Sequence, residues 1–133
     1  MTVTLSLFPE SFAICQLPAE SAPPAWAWHG TFCSVTRTPT EVSIVCAEAD
    51  VPGDVRCERG WRVLAVKGTI PFGATGILSA LAEPLAGAGV SIFTLSTFDT
   101  DYLLVTDDCL PNAVAALRMA GNTVEGDAEF PAE

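Results

Sequence analysis

The chain has 133 residues, half of them hydrophobic, enough for one domain or two very small ones packed together around a real core, which excludes disorder over most of its length. Sixteen acidic residues against six basic ones give a net charge of -10, which argues against nucleic acid and anionic membrane as partners because both reward clustered cations. No apolar run reaches about 20 residues and the start lacks a basic, apolar secretion signal, so a soluble, cytoplasmic protein is expected.

Residues 1–11 lead into an apolar run of strand length at residues 12–17, which Pro18 ends. Residues 19–30 hold Pro23, Pro24, Trp26, Trp28 and His29, so a helix there is limited to about one turn. Residues 32–36 and 41–46 form a strand pair about the turn at residues 37–40. The polar stretch at residues 47–60, with Pro52 and Gly53, suits a loop or short helix. Residues 61–67 read as a strand bounded by Gly60 and Gly68.

A loop at residues 69–76 then leads into a helix whose buried face is Ile77, Leu78, Leu81 and Leu85, with a kink or early end expected at Pro84 and closure at Gly87 and Gly89. Two short apolar runs, residues 91–95 and 102–105, follow as a hairpin. Its connector, residues 96–101, places two carboxylates and three hydroxyls together. Pro111 opens a second helix with Leu110, Val114 and Leu117 inward, and Gly121 stops it before a further possible strand. Residues 125–133 are acidic and are expected to form a flexible tail. The five cysteines, Cys15, Cys33, Cys46, Cys57 and Cys109, lack the close pairs of metal or redox motifs and read as reduced, mostly buried small hydrophobes. His29 has no second histidine near it, and no metal or cofactor is expected.

The chain resembles itself at a shift of sixty positions. Residues 40–45 then fall on residues 100–105, with an acid following a threonine in both, so that Glu41 answers to Asp101. Val51 and Pro52 match Leu110 and Pro111 after a gap of one residue. Each copy reads strand, helix, strand, strand, helix, with a further strand possible. This is the split βαβ pattern of an α+β, ferredoxin-like fold used twice, the first copy with a shortened first helix. The expected units are residues 1–60 and 61–124.

A zwitterionic ligand needs donors for its carboxylate, which backbone N–H groups of a glycine loop at a helix start supply, and Gly73 and Gly76 permit close approach there. Ser96, Thr97 and open strand-end carbonyls can accept from its ammonium, and Asp99 or Asp101 favours a cationic side chain. In the plain structural alternative, Asp99 only shapes the turn and the glycines only let helix and strand pack closely. Glu41 reads as a solvated strand residue.

The residues of the hairpin tip (96–105), the glycine loop (72–78) and the first hairpin (32–43) together resemble the small bacterial tandem ACT-domain proteins. These are similar to the ACT pairs of CASTOR arginine sensors and, more distantly, to the regulatory domains of aspartate kinases. The resemblance covers about residues 12–121 and implies two βαββαβ units packed side by side, with an amino acid held at the junction between repeats. It maps a ligand site onto Gly73, Ala74, Thr75, Gly76 and Ile77, onto Ser96, Thr97, Phe98, Asp99, Thr100 and Asp101, and onto Ser34 and Val35 of a neighbouring repeat's strand. Asp101 matches the acid that meets a basic side chain. CASTOR sensors carry four such units per chain, so two units here imply a homodimer. The expected function is therefore a non-catalytic ligand sensor. The alternatives are a dimerisation domain without ligand and a small enzyme using Asp99 and Asp101 as an acid-base pair.

Overall fold

The computed structural model describes residues 2–68 and 76–126. In chain order these form β1 (Thr4–Leu7), β2 (Phe12–Leu17), a 3-10 turn at Ala25–Trp28, β3 (Ser34–Arg37), β4 (Val42–Ala47), a 3-10 turn at Glu48–Asp50 and β5 (Cys57–Val66). Helix α1 (Ile77–Gly87), β6 (Phe93–Ser96), β7 (Asp101–Thr106), a 3-10 turn at Asp107–Cys109, α2 (Leu110–Met119) and β8 (Thr123–Glu125) follow. This is the expected α+β class, with two helices and eight strands among the described residues, arranged as ferredoxin-like units. The chain divides into a unit of Glu10–Trp61 and a unit of Met1–Pro9 with Arg62–Glu133.

In the unit of Glu10–Trp61 the strands run in the order β3-β4-β2-β5, all antiparallel. Both connections that would carry helices are single 3-10 turns. Pro23, preceding a proline, is restricted to extended backbone, and Pro24 is itself extended at ψ 163°, so the turn begins only at Ala25. With so little cover the core is small and built from small side chains: Ala13, Cys15, Ala27, Val42, Ile44, Cys46 and Val51. Alternate residues of β2 and β4 supply it, as a pleated sheet with one face inward requires.

Strand β5 starts at Cys57, four residues before the expected start at Trp61. Gly60, which reads as a boundary, is instead a bulge. The pairing shifts between Phe12↔Trp61 and Ile14↔Glu58, and Gly60 takes φ +81° there. Its N–H donates to the Glu48 carboxylate at 2.8 Å, so the irregularity is itself hydrogen-bonded.

The other unit contains a strand that the sequence reading passed over. β1 pairs antiparallel with β5 (Leu5↔Val66) and parallel with β8 (Leu5↔Val124). The stretch before Pro9, expected to lead into the first repeat, therefore pairs with elements from the far end of the chain. Its signal was the alternation of Thr4, Leu5, Ser6 and Leu7, which puts both leucines inward. Strand β7 pairs with β5 and β6. Helices α1 and α2 cover a larger core that includes Leu5, Leu64, Leu81, Leu85, Leu103, Val105 and Leu117. Burying a leucine of this kind contributes about 1.5–3 kcal/mol.

The expected early end at Pro84 does not occur, since α1 runs on to Gly87. Both helices finish as the sequence indicates. The Val90 N–H reaches the Leu85 carbonyl at 2.9 Å and the Asn122 N–H reaches the Leu117 carbonyl at 3.1 Å, each across a glycine of positive φ, Gly89 or Gly121. Glu125 belongs to β8 rather than to a tail, and residues 127–133 of the expected tail lie outside the described residues.

The internal repeat holds, but at a shift of fifty-nine rather than sixty. β3 and β6 begin at 34 and 93, β4 and β7 at 42 and 101, and the following 3-10 turns at 48 and 107. A one-residue slip would turn every side chain of a strand to the opposite face. At fifty-nine, Ile44 answers to Leu103 and Cys46 to Val105, each facing its own unit's core. Val51 and Pro52 then meet Leu110 and Pro111 with no gap. The partner of Asp101 is Val42, not Glu41; Glu41 answers to Thr100.

Candidate functional site

The tip of the β6–β7 hairpin is a four-residue turn, residues 97–100, closed by the Thr97 N–H donating to the Thr100 carbonyl at 2.9 Å. The Thr97 hydroxyl also bridges the turn, 3.3 Å from the Thr100 carbonyl and 3.4 Å from its N–H. A short polar side chain at the first turn position satisfies backbone groups that the strand ladder has left behind. Phe98, 79% exposed, and Asp99 form the outer corner.

Beneath the turn, Ser96 and Asp101 face each other as the last pair of the ladder. The Ser96 hydroxyl donates to Asp101 Oδ1 at 2.6 Å. A charge-assisted bond of this length orients the carboxylate and leaves the serine's lone pairs and the second carboxylate oxygen available to a donor. Thr100, expected to contact ligand, has another task. Its half-buried hydroxyl donates to the Val66 carbonyl at 2.8 Å, fastening the tip to the end of β5. Val66 in this supporting role was not legible in the sequence, because nothing in a buried valine marks which side chain its carbonyl will meet.

Gly76 precedes the first residue of α1 with φ +87°, and a Cβ built there would meet nothing within 4 Å, so the backbone conformation rather than crowding demands glycine. Its carbonyl accepts from the Ala80 N–H at 2.8 Å. Ile77 is half-buried and packs against the core. Gly73, Ala74 and Thr75 lie outside the described residues. Ser34 and Val35 are the first two residues of β3 in the other unit, paired with Val45 and Ile44 and partly buried.

The unit of Glu10–Trp61 carries a counterpart of this tip. The Thr38 N–H donates to the Glu41 carbonyl at 2.9 Å, and the Thr38 hydroxyl accepts from the Thr40 and Glu41 N–H groups at 3.2 and 3.1 Å. Glu41, expected as a solvated strand residue, lies in this turn, and its carboxylate accepts from Gln16 Nε2 at 3.0 Å. Thus the fourth turn residue is tied to the end of the repeat's first strand in both copies. A recess of about 270 Å³ opens here, lined by Gln16, Leu17, Pro18 and Thr40. His29 Nδ1 lies 3.7 Å from Asp50 Oδ1 on the exposed side of the same unit. Among the described residues no three His, Cys, Asp or Glu side chains form a group that could hold a metal ion, and no helix is long and apolar enough to cross a membrane.

Comparison with known proteins agrees with this architecture. The ACT domain family model matches residues 56–119, and a model of a separate N-terminal domain matches residues 10–54. The crystal structure of protein Atu0741 from Agrobacterium tumefaciens superposes with a TM-score of 0.91 at 37% identity, covering 100% of this chain and 99% of that one. The human protein CASTOR3P is 31% identical over 93 residues, 60% of this chain and 57% of that protein. Human cytosolic arginine sensor for mTORC1 subunit 1 is 34% identical over 59 residues, 44% of this chain and 18% of the sensor. The chain therefore spans little more than half the length of the first of these curated relatives and less of the second. The regulatory subunit of aspartate kinase from Thermus thermophilus shares the fold, with a TM-score of 0.63 at 8% identity over 91% of this chain. Residues 56–119 thus match an ACT domain, residues 10–54 match a separate N-terminal domain model, and over its full length the chain is similar to Atu0741.

Proposed function

We propose that the chain is a non-catalytic regulatory module that binds an amino acid at the second repeat's hairpin tip. The observation that carries the reading is the braced carboxylate. Asp101 is oriented by Ser96, while Thr97 and Thr100 use their own hydroxyls to fix the turn and its anchorage to Val66. A rigid, partly exposed carboxylate with an acceptor beside it suits an ammonium or guanidinium group. Backbone N–H groups of the loop before Gly76 are the proposed donors for the ligand's carboxylate. Ser34 and Val35 enter the proposal as a strand edge supplied by a neighbouring repeat, and Asp99 and Phe98 as the outer wall.

Two repeats per chain, against the four units of the CASTOR sensors that the chain resembles, support a homodimer as the working assembly. Sedimentation at micromolar concentration is expected to give two chains per particle; a monomer with and without ligand contradicts this part. Ligand identity is tested by thermal shift against the common amino acids. Saturation at a hundred times the dissociation constant stabilises by about 2.7 kcal/mol, so a binder raises the melting temperature measurably. If no amino acid shifts it, the reading fails and a dimerisation domain without ligand takes its place.

A further inference from the structure

Four of the five cysteines, Cys15, Cys33, Cys46 and Cys57, belong to the small core of the unit Glu10–Trp61 or pack against it. They come from four different strands or strand approaches, which is why their spacing in sequence carries no motif. Cys15 and Cys57 stand directly opposite one another on antiparallel strands β2 and β5. The neighbouring pair is the hydrogen-bonded one, since the Gln16 N–H donates to the Arg56 carbonyl at 3.0 Å. Cys15 and Cys57 are thus a non-hydrogen-bonded pair, the type whose Cα atoms approach to about 4.5 Å and whose side chains lie closest. That separation falls inside the disulfide window of roughly 4.4–6.8 Å. Both side chains belong to or pack against the same small core.

Cys46 shares the core with Cys15, but it pairs with Ala13 and so sits diagonally from Cys15 across β2 and β4. Diagonal positions lie about 7–8 Å apart, beyond what a disulfide spans without moving the backbone. Access separates the members of the opposed pair as well. Cys15 is 1% exposed, whereas Cys57 is half-buried.

We propose that Cys15 and Cys57 form a reversible disulfide on exposure to a hydroperoxide, stapling the first strand of this unit to its last. The half-buried Cys57 sulfur attacks the peroxide, the O–O bond breaks, and Cys57 sulfenic acid forms with release of an alcohol or water. The Cys15 sulfur then attacks the sulfenic sulfur; the S–S bond forms, the S–O bond breaks, and the departing hydroxide takes the Cys15 proton as water. Two thiols give up two electrons in all and the peroxide accepts them. Burial pushes the Cys15 thiol up to about 12, which leaves the more accessible Cys57 to meet the peroxide first. Closing the long loop between these residues restrains the unfolded chain, and the gain matters most in a unit with little helical cover.

The test treats the reduced full chain with a few equivalents of hydrogen peroxide, counts thiols in denaturant and maps the bridge by mass spectrometry. Two of the five thiols are expected to disappear, with the Cys15 and Cys57 peptides joined, the melting temperature raised, and both effects reversed by dithiothreitol. Cys46→Ser is expected to keep the bridge and Cys57→Ser to lose it; the wild-type map decides the matter if Cys57→Ser fails to fold. A Cys15 that stays free, pairs with another cysteine, or crosslinks two chains overturns the proposal.

Discussion

The two hairpin tips share one turn and differ in what stands beneath it. Both open on a threonine whose N–H reaches the fourth residue's carbonyl at 2.9 Å and whose hydroxyl bridges the turn. Under the first tip the last ladder pair is Arg37 and Val42, with Val42 fully buried. Under the second it is Ser96 and Asp101, half open to solvent and hydrogen-bonded to each other. The fourth turn residues differ in the same sense: Glu41 commits its carboxylate to Gln16, while Thr100 uses a hydroxyl and leaves the charge to the strand below. Turn geometry is thus common framework, and a carboxylate stands in the last ladder pair of one copy alone, by a single register position.

The cores repeat the contrast. Leu103 lies beneath two full helices, and its register partner Ile44 beneath single 3-10 turns. Leu103→Ala is expected to cost about 3–4 kcal/mol in denaturant unfolding, and Ile44→Ala about 2 kcal/mol because thinner cover collapses more readily onto the cavity. Equal costs would break the comparison. Alkaline pH separates the cores by chemistry. Burial raises Cys15 from 9.0 to about 12 and Cys46 from 9.0 to about 11. Both thiols stay protonated when folded while the unfolded chain ionises, so their contribution is complete below pH 9 and is lost as pH rises toward 11 and 12. Reduced protein unfolded by urea across this range is expected to weaken, and Cys46→Ala to flatten the decline.

Smaller effects test the shared turn. Thr97→Val and Thr38→Val each remove the bridging hydroxyl and are expected to cost about 1 kcal/mol, by the same amount within error if the turns are equivalent. Gln16→Ala removes one exposed bond to Glu41 and is expected to cost less than about 0.5 kcal/mol, read from the same urea curves.

What the sequence disclosed was local. Turn polarity at residues 96–101, the proline-limited helix after Pro24 and the glycine stops at 89 and 121 each follow from a few adjacent residues. What it concealed was pairing across distance. β1 took its partners from the other end of the chain, the bulge at Gly60 looked like an ending, and one residue of register moved the counterpart of Asp101 from Glu41 to Val42. At the candidate site, the chemistry of Ser96 and Asp101 was readable, whereas the assignment of Thr100 to anchoring depended on where the Val66 carbonyl came to lie.

The central claim is that the second tip binds a cationic amino acid through Asp101 and the first does not through Glu41. Calorimetric titration of wild-type, Asp101→Ala and Glu41→Ala protein with the amino acid that gives the largest thermal shift tests it most directly. For a basic ligand, Asp101→Ala is expected to weaken binding at least tenfold, about 1.4 kcal/mol or more, with Glu41→Ala unchanged. Unchanged affinity in Asp101→Ala, or equal losses in both variants, contradicts it.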